Sequence, residues 1–324
     1  MTNRRRFLGS AAFLAACGAR LGGRAEASGD EGPVARPSEG DVPIVDTHVH
    51  LWDLGRFRLP WLEGGGPLAR NYLPDDYREA AEGLNVVKGV YMEVDVDPAQ
   101  HVAEAEYVVD LCRGGGEPLV GAVIGGRPAS DAFEAYLDHF RDSPEVKGVR
   151  QVLHGGGTPP GTCLEPEFIR GIRLLGDRGL SFDLCMRSGE LRDGAQLVDA
   201  CQDTFFILDH CGNPNVQAAD HSAWRDDLAK LAERENVVCK VSGIVASANP
   251  ETWTPDDLAP IITHVLDCFG PDRVVFGGDW PVCTRAASLR QWTEALKVVV
   301  ADRSLTDRKK LFHDNAIRVY RLVG

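Results

Sequence analysis

Short apolar runs recur along the chain and alternate with longer stretches in which apolar residues follow helical spacing. The runs are rich in valine and isoleucine, as buried strands are. They cover residues 44–51, 86–94, 119–126, 146–154, 180–187, 205–212, 237–244 and 273–280. Eight strand–helix units predict a closed parallel (β/α)8 TIM barrel, which usually takes about 250 residues. An open doubly wound sheet ranks second, because no glycine-rich phosphate loop follows the first run.

Polar residues gather at the carboxyl ends of these runs. In a barrel of this kind the strand ends form the mouth that carries catalytic groups. Burying an unpaired charge is costly, so charged residues in apolar runs need partners or a function. Their shared position at one end of the strands favours a function. The residues concerned are His48, His50, Glu93, Asp95, Arg150, His154, Asp183, Arg187, His210, Lys240, Ser242 and Asp279.

The first run, IVDTHVHL, carries two histidines two residues apart, with an aspartate before them. Side chains alternate along a strand, so Asp46, His48 and His50 are predicted to share one face. An imidazole pair suits a divalent metal such as zinc. The pair could equally bind a carboxylate or carbonyl of a substrate. Two buried structural histidines are the alternative, and the position at the end of the first strand favours a site.

Asp279 lies in FGGDWPV, where two glycines precede it and Pro281 stops the strand. An aspartate beside a metal or a histidine cluster can take a proton from water and return it to a leaving group. A helix N-cap is the alternative role. The residues PVCTRAAS between Asp279 and the next helix make that role less favoured.

Three further residues are candidates on their chemistry. His210, in LDHCGNP, could polarise a carbonyl, although a core histidine bonded to backbone is nearly as good an interpretation. Arg150 and Arg187 could clamp a carboxylate or a hydroxyl-rich substrate, because a guanidinium binds oxygens in pairs. The alternative is that each forms an ion pair with Glu93 or Asp183 inside the mouth.

The overall charge narrows the kind of partner. The formal net charge is −13, which argues against nucleic acid and anionic membranes, since both need basic patches. No stretch is apolar for long enough to span a bilayer. A small-molecule substrate is therefore expected.

The N-terminus has the pattern of an export signal. Arginines at residues 4–6 precede a short apolar run at residues 7–16, which resembles a twin-arginine signal. Cleavage could occur at a lipobox ending at Cys17, which would leave a lipid anchor, or after Ala27. An exported protein, periplasmic or membrane-anchored, is predicted. The predicted organisation is a signal peptide at 1–27, a linker at 28–41 and the barrel at 42–324.

Several motifs together resemble one enzyme family. They are DTHVHLWD, YLPDDY, KGVRQVLH, ILDHCGNP, CKVSGI, GPDRVVFGGDWPV and LFHDNAIRVYRL, in order from about residue 43 to the C-terminus. They resemble the amidohydrolase-related (amidohydrolase 2) family, and within it the lactonases of sugar lactones and pyrone dicarboxylates. The resemblance implies a TIM-barrel hydrolase that opens a cyclic ester of a sugar acid or a related carboxylated ring.

The resemblance also assigns roles by position. It implies that Asp279 activates water and that histidines or one divalent metal polarise the carbonyl. It implies at most one metal ion, zinc being preferred, although some lactonases of the family work without a metal. The predicted catalytic residues are Asp279, His210, His48 and His50; the predicted substrate-binding residues are Arg150, Arg187, His154 and Trp52; the predicted metal ligands are His48, His50 and Glu93.

Two strand ends depart from the family pattern. The third run ends in GAVIGGRP, without the usual tryptophan, and the fifth ends in CMRSGEL, without the usual apolar-proline ending. Both lie at the mouth, so the substrate is expected to differ from those of known members. Two other functions stay open: a metal-dependent decarboxylase of the same superfamily, and an exported sugar-acid binding protein without catalysis.

Overall fold

The structure, a computed structural model, describes residues 42–115 and 118–322. Eight β-strands hydrogen-bond in chain order, each parallel to the next. The predicted signal peptide with Cys17 and the linker at 28–41 lie outside the described residues. The strands are β1 Ile44–Val49, β2 Val86–Met92, β3 Leu119–Gly125, β4 Val146–Val152, β5 Ser181–Cys185, β6 Phe205–Leu208, β7 Val237–Val241 and β8 Val274–Phe276.

The first and last strands meet and close the sheet. Val49 forms a parallel bridge with Trp280. The backbone N–H of His50 donates to the carbonyl of Trp280 at 2.8 Å, and that of Asp279 donates to the carbonyl of His48 at 2.9 Å. The predicted (β/α)8 TIM barrel is therefore confirmed. This closure also brings the histidine pair beside the aspartate that follows β8.

One helix follows each strand, and two short helices and a π turn complete the described C-terminal region. The bounds are α1 Pro74–Ala81, α2 His101–Arg113, α3 Phe133–His139, α4 Pro166–Asp177, α5 Leu191–Ala200, α6 Ser222–Ala232, α7 Pro255–Phe269, α8 Leu289–Val299, α9 Leu305–Lys309 and α10 Asn315–Val319, with the π turn at Lys310–Asp314. Within the described residues, none of these helices is both long and apolar enough to cross a bilayer.

Local sequence explains where these helices begin and which face they bury. Before α7, Thr254 and Asp257 form a reciprocal capping box, and Pro255 occupies the first turn, where its missing N–H does no harm. Helix α4 buries Phe168 and Ile172, four residues apart on one face. Most of the stability of such helices comes from packing this apolar face against the barrel.

Two clusters of buried apolar side chains stabilise the barrel. The larger cluster lies between the strands and the surrounding helices. A smaller cluster of inward-pointing strand residues is packed against the C-terminal segment. Its strand members include Val45, Val90, Val123, Ile207, Val238 and Val275, and Tyr320 and Leu322 pack against them.

The strands are shorter at their carboxyl ends than the apolar runs predicted. The run at 205–212 was predicted as one strand, but β6 ends at Leu208. The next four residues form a tight turn, in which His210 (φ 54°) and Cys211 (φ 56°) have left-handed backbone. The site residues therefore lie on the turns that leave the strands as often as on the strands themselves.

Candidate active site

A cavity of about 460 Å³ opens at the carboxyl ends of the strands. Its size is in the range of small-molecule sites, which are concave and mostly apolar with a few polar groups. Residues at or just after the carboxyl ends of seven of the strands contribute to its wall: His50, Asp95, His154, Cys185, His210, Gly243 and Asp279. The position agrees with the rule that TIM-barrel enzymes place their active sites at this face.

Three of the predicted catalytic side chains meet at and directly behind this wall: His50 and Asp279 line the cavity, and the buried His48 lies behind them. The Nε2 atoms of His48 and His50 lie 3.1 Å apart. The Oδ1 of Asp279 lies 3.6 Å from His48 Nε2 and 3.5 Å from His50 Nε2. The Nδ1 of His50 is 2.9 Å from the carbonyl of Met92, and a carbonyl only accepts, so Nδ1 carries the proton. The lone pair of His50 Nε2 therefore faces the other two residues.

Two glycines allow this close approach of β8 to β1. A Cβ on Gly277 would lie 2.8 Å from the Cβ of His48, and a Cβ on Gly278 would lie 2.7 Å from Leu289 Cδ1. Both distances are shorter than real side chains show. Asp279 itself has left-handed backbone, with φ 53°, which turns its carboxylate out of the strand direction. The sequence GGD is thus a local requirement for placing the carboxylate.

Asp46 does not share a face with the histidines, so that prediction is wrong. Between Asp46 and Val49, β1 has one residue more than the paired stretch of β2, which is a β-bulge. The carboxylate of Asp46 accepts hydrogen bonds from the N–H of His48, the N–H of Gly278 and the hydroxyl of Tyr77 in α1. Burial raises the pKa of Asp46 to about 6. Asp46 therefore supports the bulge and lies outside the cavity.

His210 completes the histidine group. Its ring centroid is 4.5 Å from that of His48, and its Nδ1 is 2.9 Å from Ser242 Oγ on β7's following turn. Burial lowers the pKa of His210, so its ring is neutral at neutral pH. Gly243 (φ 67°) passes directly over this ring, where a side chain would collide with it. The neutral ring keeps one N–H, which can donate to a carbonyl oxygen.

A buried charge network lies behind His48. The ammonium of Lys240 is 2.7 Å from Asp183 Oδ2, 2.9 Å from Asp209 Oδ1 and 3.3 Å from His48 Nδ1. Burial lowers the pKa of His48 well below its ordinary value, and the Lys240 charge adds to this effect. Burial alone would raise the pKa of Asp209, but Lys240 together with His48 and His210 outweighs burial and holds this pKa well below the ordinary value. His48 is therefore neutral, between a cation and carboxylates.

Arg150 forms the ion pair with Glu93 that was the alternative to a role in substrate binding. Its Nε donates to Glu93 Oε1 at 2.6 Å, its Nη2 to the Glu93 carbonyl at 2.7 Å, and its Nη1 lies 3.3 Å from Asp209 Oδ2. Burial alone would raise the pKa of Glu93, but Arg150 and the N–H of Asp95 hold it below the ordinary value. Because most of its N–H donors are engaged, the main role of Arg150 is to link the buried carboxylates of Glu93 and Asp209. It also reaches the cavity wall.

The other predicted substrate-binding residues have different outcomes. His154 lies exposed on the cavity wall. Trp52 is 1% exposed, donates to the carbonyl of Arg70 and is no part of that wall, so it supports the mouth from behind. Arg187 pairs with Glu190 and donates to two loop carbonyls, and it does not line the cavity either. For Trp52 and Arg187 direct substrate contact is therefore not supported.

Trp61 and Arg285 are among the wall residues that were not predicted from the sequence. Trp61 lies in a loop between β1 and α1, where no periodicity gave a signal. It is 42% exposed, and its Nε1 donates to the carbonyl of Val94 at 2.8 Å. It also packs edge-on against Trp52, with centroids 5.5 Å apart. A presented aromatic face at the mouth of a cavity is suited to contact a ring.

The three atoms His48 Nε2, His50 Nε2 and Asp279 Oδ1 fit a metal ion. Their separations of 3.1, 3.5 and 3.6 Å agree with zinc bonds of about 2.0–2.2 Å in a tetrahedral site, which place ligand atoms roughly 3.4 Å apart. Three protein ligands and one open position are typical of catalytic zinc. Glu93, a predicted ligand, is not in this group, because Arg150 and the N–H of Asp95 occupy its oxygens. Asp279 takes its place.

The amino-acid sequence of the chain matches a known enzyme family. The profile of the family described as Amidohydrolase matches residues 45–322, which is nearly the whole barrel. The chain belongs to this amidohydrolase family. The predicted family and the predicted enzyme class, a hydrolase, are therefore confirmed.

Several curated relatives of this chain are named as lactonases. L-fucono-1,5-lactonase of Burkholderia multivorans is 28% identical, with 86% of this chain and 96% of that protein covered. L-rhamnono-gamma-lactonase of Scheffersomyces stipitis is 25% identical, covering 86% and 98%. A solved amidohydrolase of Burkholderia multivorans with bound zinc superimposes with a TM-score of 0.78 at 26% identity, covering 87% of this chain and 100% of that one.

Proposed function

We propose that this protein hydrolyses a lactone of a sugar acid or of a related carboxylated ring. The observation that carries the proposal is a cluster of one carboxylate and two imidazoles, in which Asp279 and His50 line a cavity of about 460 Å³ and His48 lies buried behind them. Relatives named as lactonases cover almost the whole barrel, which supports the same reaction class for this chain.

Asp279 is the proposed general base. Its carboxylate takes a proton from a water molecule, whose oxygen attacks the carbonyl carbon of the ring ester. The C–O bond of the tetrahedral intermediate then breaks, and Asp279 returns the proton to the departing ring oxygen. One lactone and one water thus give one hydroxy acid. The carboxylate of Asp279 lies at the cavity wall, 3.5 Å from Nε2 of His50, so both proton transfers take place at the same position in the wall.

Negative charge on the carbonyl oxygen needs a donor or a cation. The neutral ring of His210 and the guanidinium of Arg150 both reach the wall and can donate to that oxygen. A divalent ion held by His48, His50 and Asp279 would add Lewis-acid polarisation of the same carbonyl. The buried Lys240 network keeps His48 neutral and in place for either arrangement.

Product analysis tests the proposal. The purified protein would be incubated with a panel of aldonolactones and carboxylated lactones, and separately with aromatic acids. Acid release from a lactone with a ring-opened hydroxy acid as product is the expected result. Release of carbon dioxide from an aromatic acid, without lactone opening, would establish the decarboxylase alternative. Tight binding of lactones without turnover would establish the binding-protein alternative.

A further inference from the structure

Most charged groups at the cavity wall already have partners. Arg150 is bound to Glu93 at 2.6 Å, and Asp279 faces the histidine pair. Asp95 is paired with Arg127 at 3.1 Å. The interior of the cavity is thus close to electrically balanced, apart from the carboxylate that acts as base.

Arg285 is different. It ends the short helical turn Val282–Arg285, six positions after Asp279, so the same loop presents the proposed base and this guanidinium to one cavity. Its side chain is exposed. Within residues 42–115 and 118–322, it forms no hydrogen bond or ion pair with another residue. Its donors are therefore available to a ligand at the rim of the cavity.

The chemistry of a free guanidinium at this place is selective. It binds carboxylates through two parallel N–H groups, which fixes orientation as well as charge. The chain as a whole carries a formal charge of −13, so its distant charges do not attract an anion. Beyond about 8 Å those charges are largely screened at physiological salt, and the nearby guanidinium dominates. The wall also offers apolar surface from Val94, Ile244 and Val282, which suits a ring.

We propose that Arg285 is a specificity-determining residue that binds a carboxylate substituent on the lactone ring, so that carboxylated lactones are preferred over neutral sugar lactones. This inference rests on the proposed lactone hydrolysis and identifies which class of lactone is used. The ester carbonyl then lies toward Asp279 and the carboxylate toward the rim.

A matched pair of substrates tests the preference. An aldarolactone with a free carboxylate and the corresponding aldonolactone with a hydroxymethyl group differ only in that substituent. In Arg285→Gln, kcat/KM for the aldarolactone should fall about 10- to 100-fold, mainly through KM, because a hydrogen-bonded charge is lost. The value for the aldonolactone should change less than about twofold. Arg285→Lys should restore part of the loss, since it keeps the charge without the fork.

The control variant is Arg303→Gln. Arg303 is a surface arginine in the connection between α8 and α9 that pairs with Asp267 at 3.0 Å and is no part of the cavity wall. It should leave both substrates unaffected. Equal losses for both substrates in Arg285→Gln, or no loss for either, would overturn the proposal.

Binding separates this inference from the proposed reaction. With Asp279→Asn as the common background, calorimetry would measure binding of both ligands with and without Arg285→Gln. Weaker binding of the aldarolactone alone supports the subsite, even if the wild type turns over neither compound. Absent or Arg285-independent binding of the aldarolactone overturns it, even if the wild type hydrolyses both compounds.

Discussion

A methyl group on Gly243 should disable the site without unfolding the protein. Gly243 has φ 67° and ψ −26°, and it passes over the ring of His210. A Cβ there would lie 2.6 Å from His210 Cγ, and nearer still to Nδ1, whereas ordinary contacts begin at 3.4 Å. Because Nδ1 is nearer than Cγ, the ring or the loop must move by more than about 0.8 Å. That movement also breaks the bond from His210 Nδ1 to Ser242.

The expected effect of Gly243→Ala has two parts. The left-handed backbone costs about 1–2 kcal/mol for any residue with a Cβ. Displacement of the His210 ring lowers the rate of the reaction, because a misplacement near 1 Å at an active site can lower turnover about 100-fold. Gly161 provides the matched control, since it has φ 78° and ψ −1° with nothing within 4 Å of a Cβ. Gly161→Ala should lose similar stability and keep its rate.

The assay compares kcat/KM on a hydrolysed lactone with the free energy of unfolding in urea, for both variants. Similar stabilities and a selective rate loss of about 100-fold in Gly243→Ala are expected. Wild-type turnover in a folded Gly243→Ala protein would refute the role of His210. Equal rate losses in both variants would show that backbone strain, and not the His210 contact, is responsible.

Three further changes test other parts of the site. In steady-state kinetics, Trp61→Ala should raise KM for ring substrates about fivefold with kcat nearly unchanged, while Trp61→Phe should keep most of the affinity. Equal increases of KM in the two variants would contradict a stacking role. Burial, with Glu93 nearby, raises the pKa of Glu104 from 4.5 to about 8. The folded protein therefore holds this proton more tightly than the unfolded chain does. The contribution of Glu104 to the free energy of unfolding is complete below about pH 4.5 and is lost as pH rises through about 8. Glu104→Gln should therefore gain stability relative to the wild type between pH 5 and pH 8.5 in urea unfolding, and parallel pH profiles would contradict the raised pKa. His50→Ala should bind zinc at least tenfold more weakly by calorimetry, whereas the exposed His139→Ala should bind it normally; unchanged binding in His50→Ala would place the ion elsewhere.

The fold could be predicted from the sequence because each buried strand needs a continuous apolar run, and eight such runs in alternation with helices allow few topologies. Strand ends were less predictable, since β6 stops at Leu208 although the apolar pattern continues to residue 212. A left-handed turn at His210 brings its ring to Ser242, which follows β7, and no local pattern shows this contact. The export signal at 1–27 stays a prediction.

The site was predicted in its centre and less well at its rim. His48, His50, His210 and Asp279 end runs of one barrel, and closure of the barrel brings them together. The bulge in β1 could not be predicted, so Asp46 was placed on the wrong face.

Rim residues depend on how the loops fold back over the mouth. Trp52 and Trp61 both lie between β1 and α1, and local sequence does not show which one is buried. Likewise, nothing in the sequence around Arg187 shows that its guanidinium is bound by the carbonyls of Gly155 and Thr158.

Turnover by Asp279→Asn tests most directly whether the carboxylate after β8 and the imidazoles of β1 form one reaction centre. Asparagine keeps the shape of the side chain but cannot accept the proton of water. We predict that kcat/KM on a lactone hydrolysed by the wild type falls about 100-fold or more, with an unchanged unfolding midpoint and retained lactone binding. Wild-type turnover in this variant would contradict the proposed base.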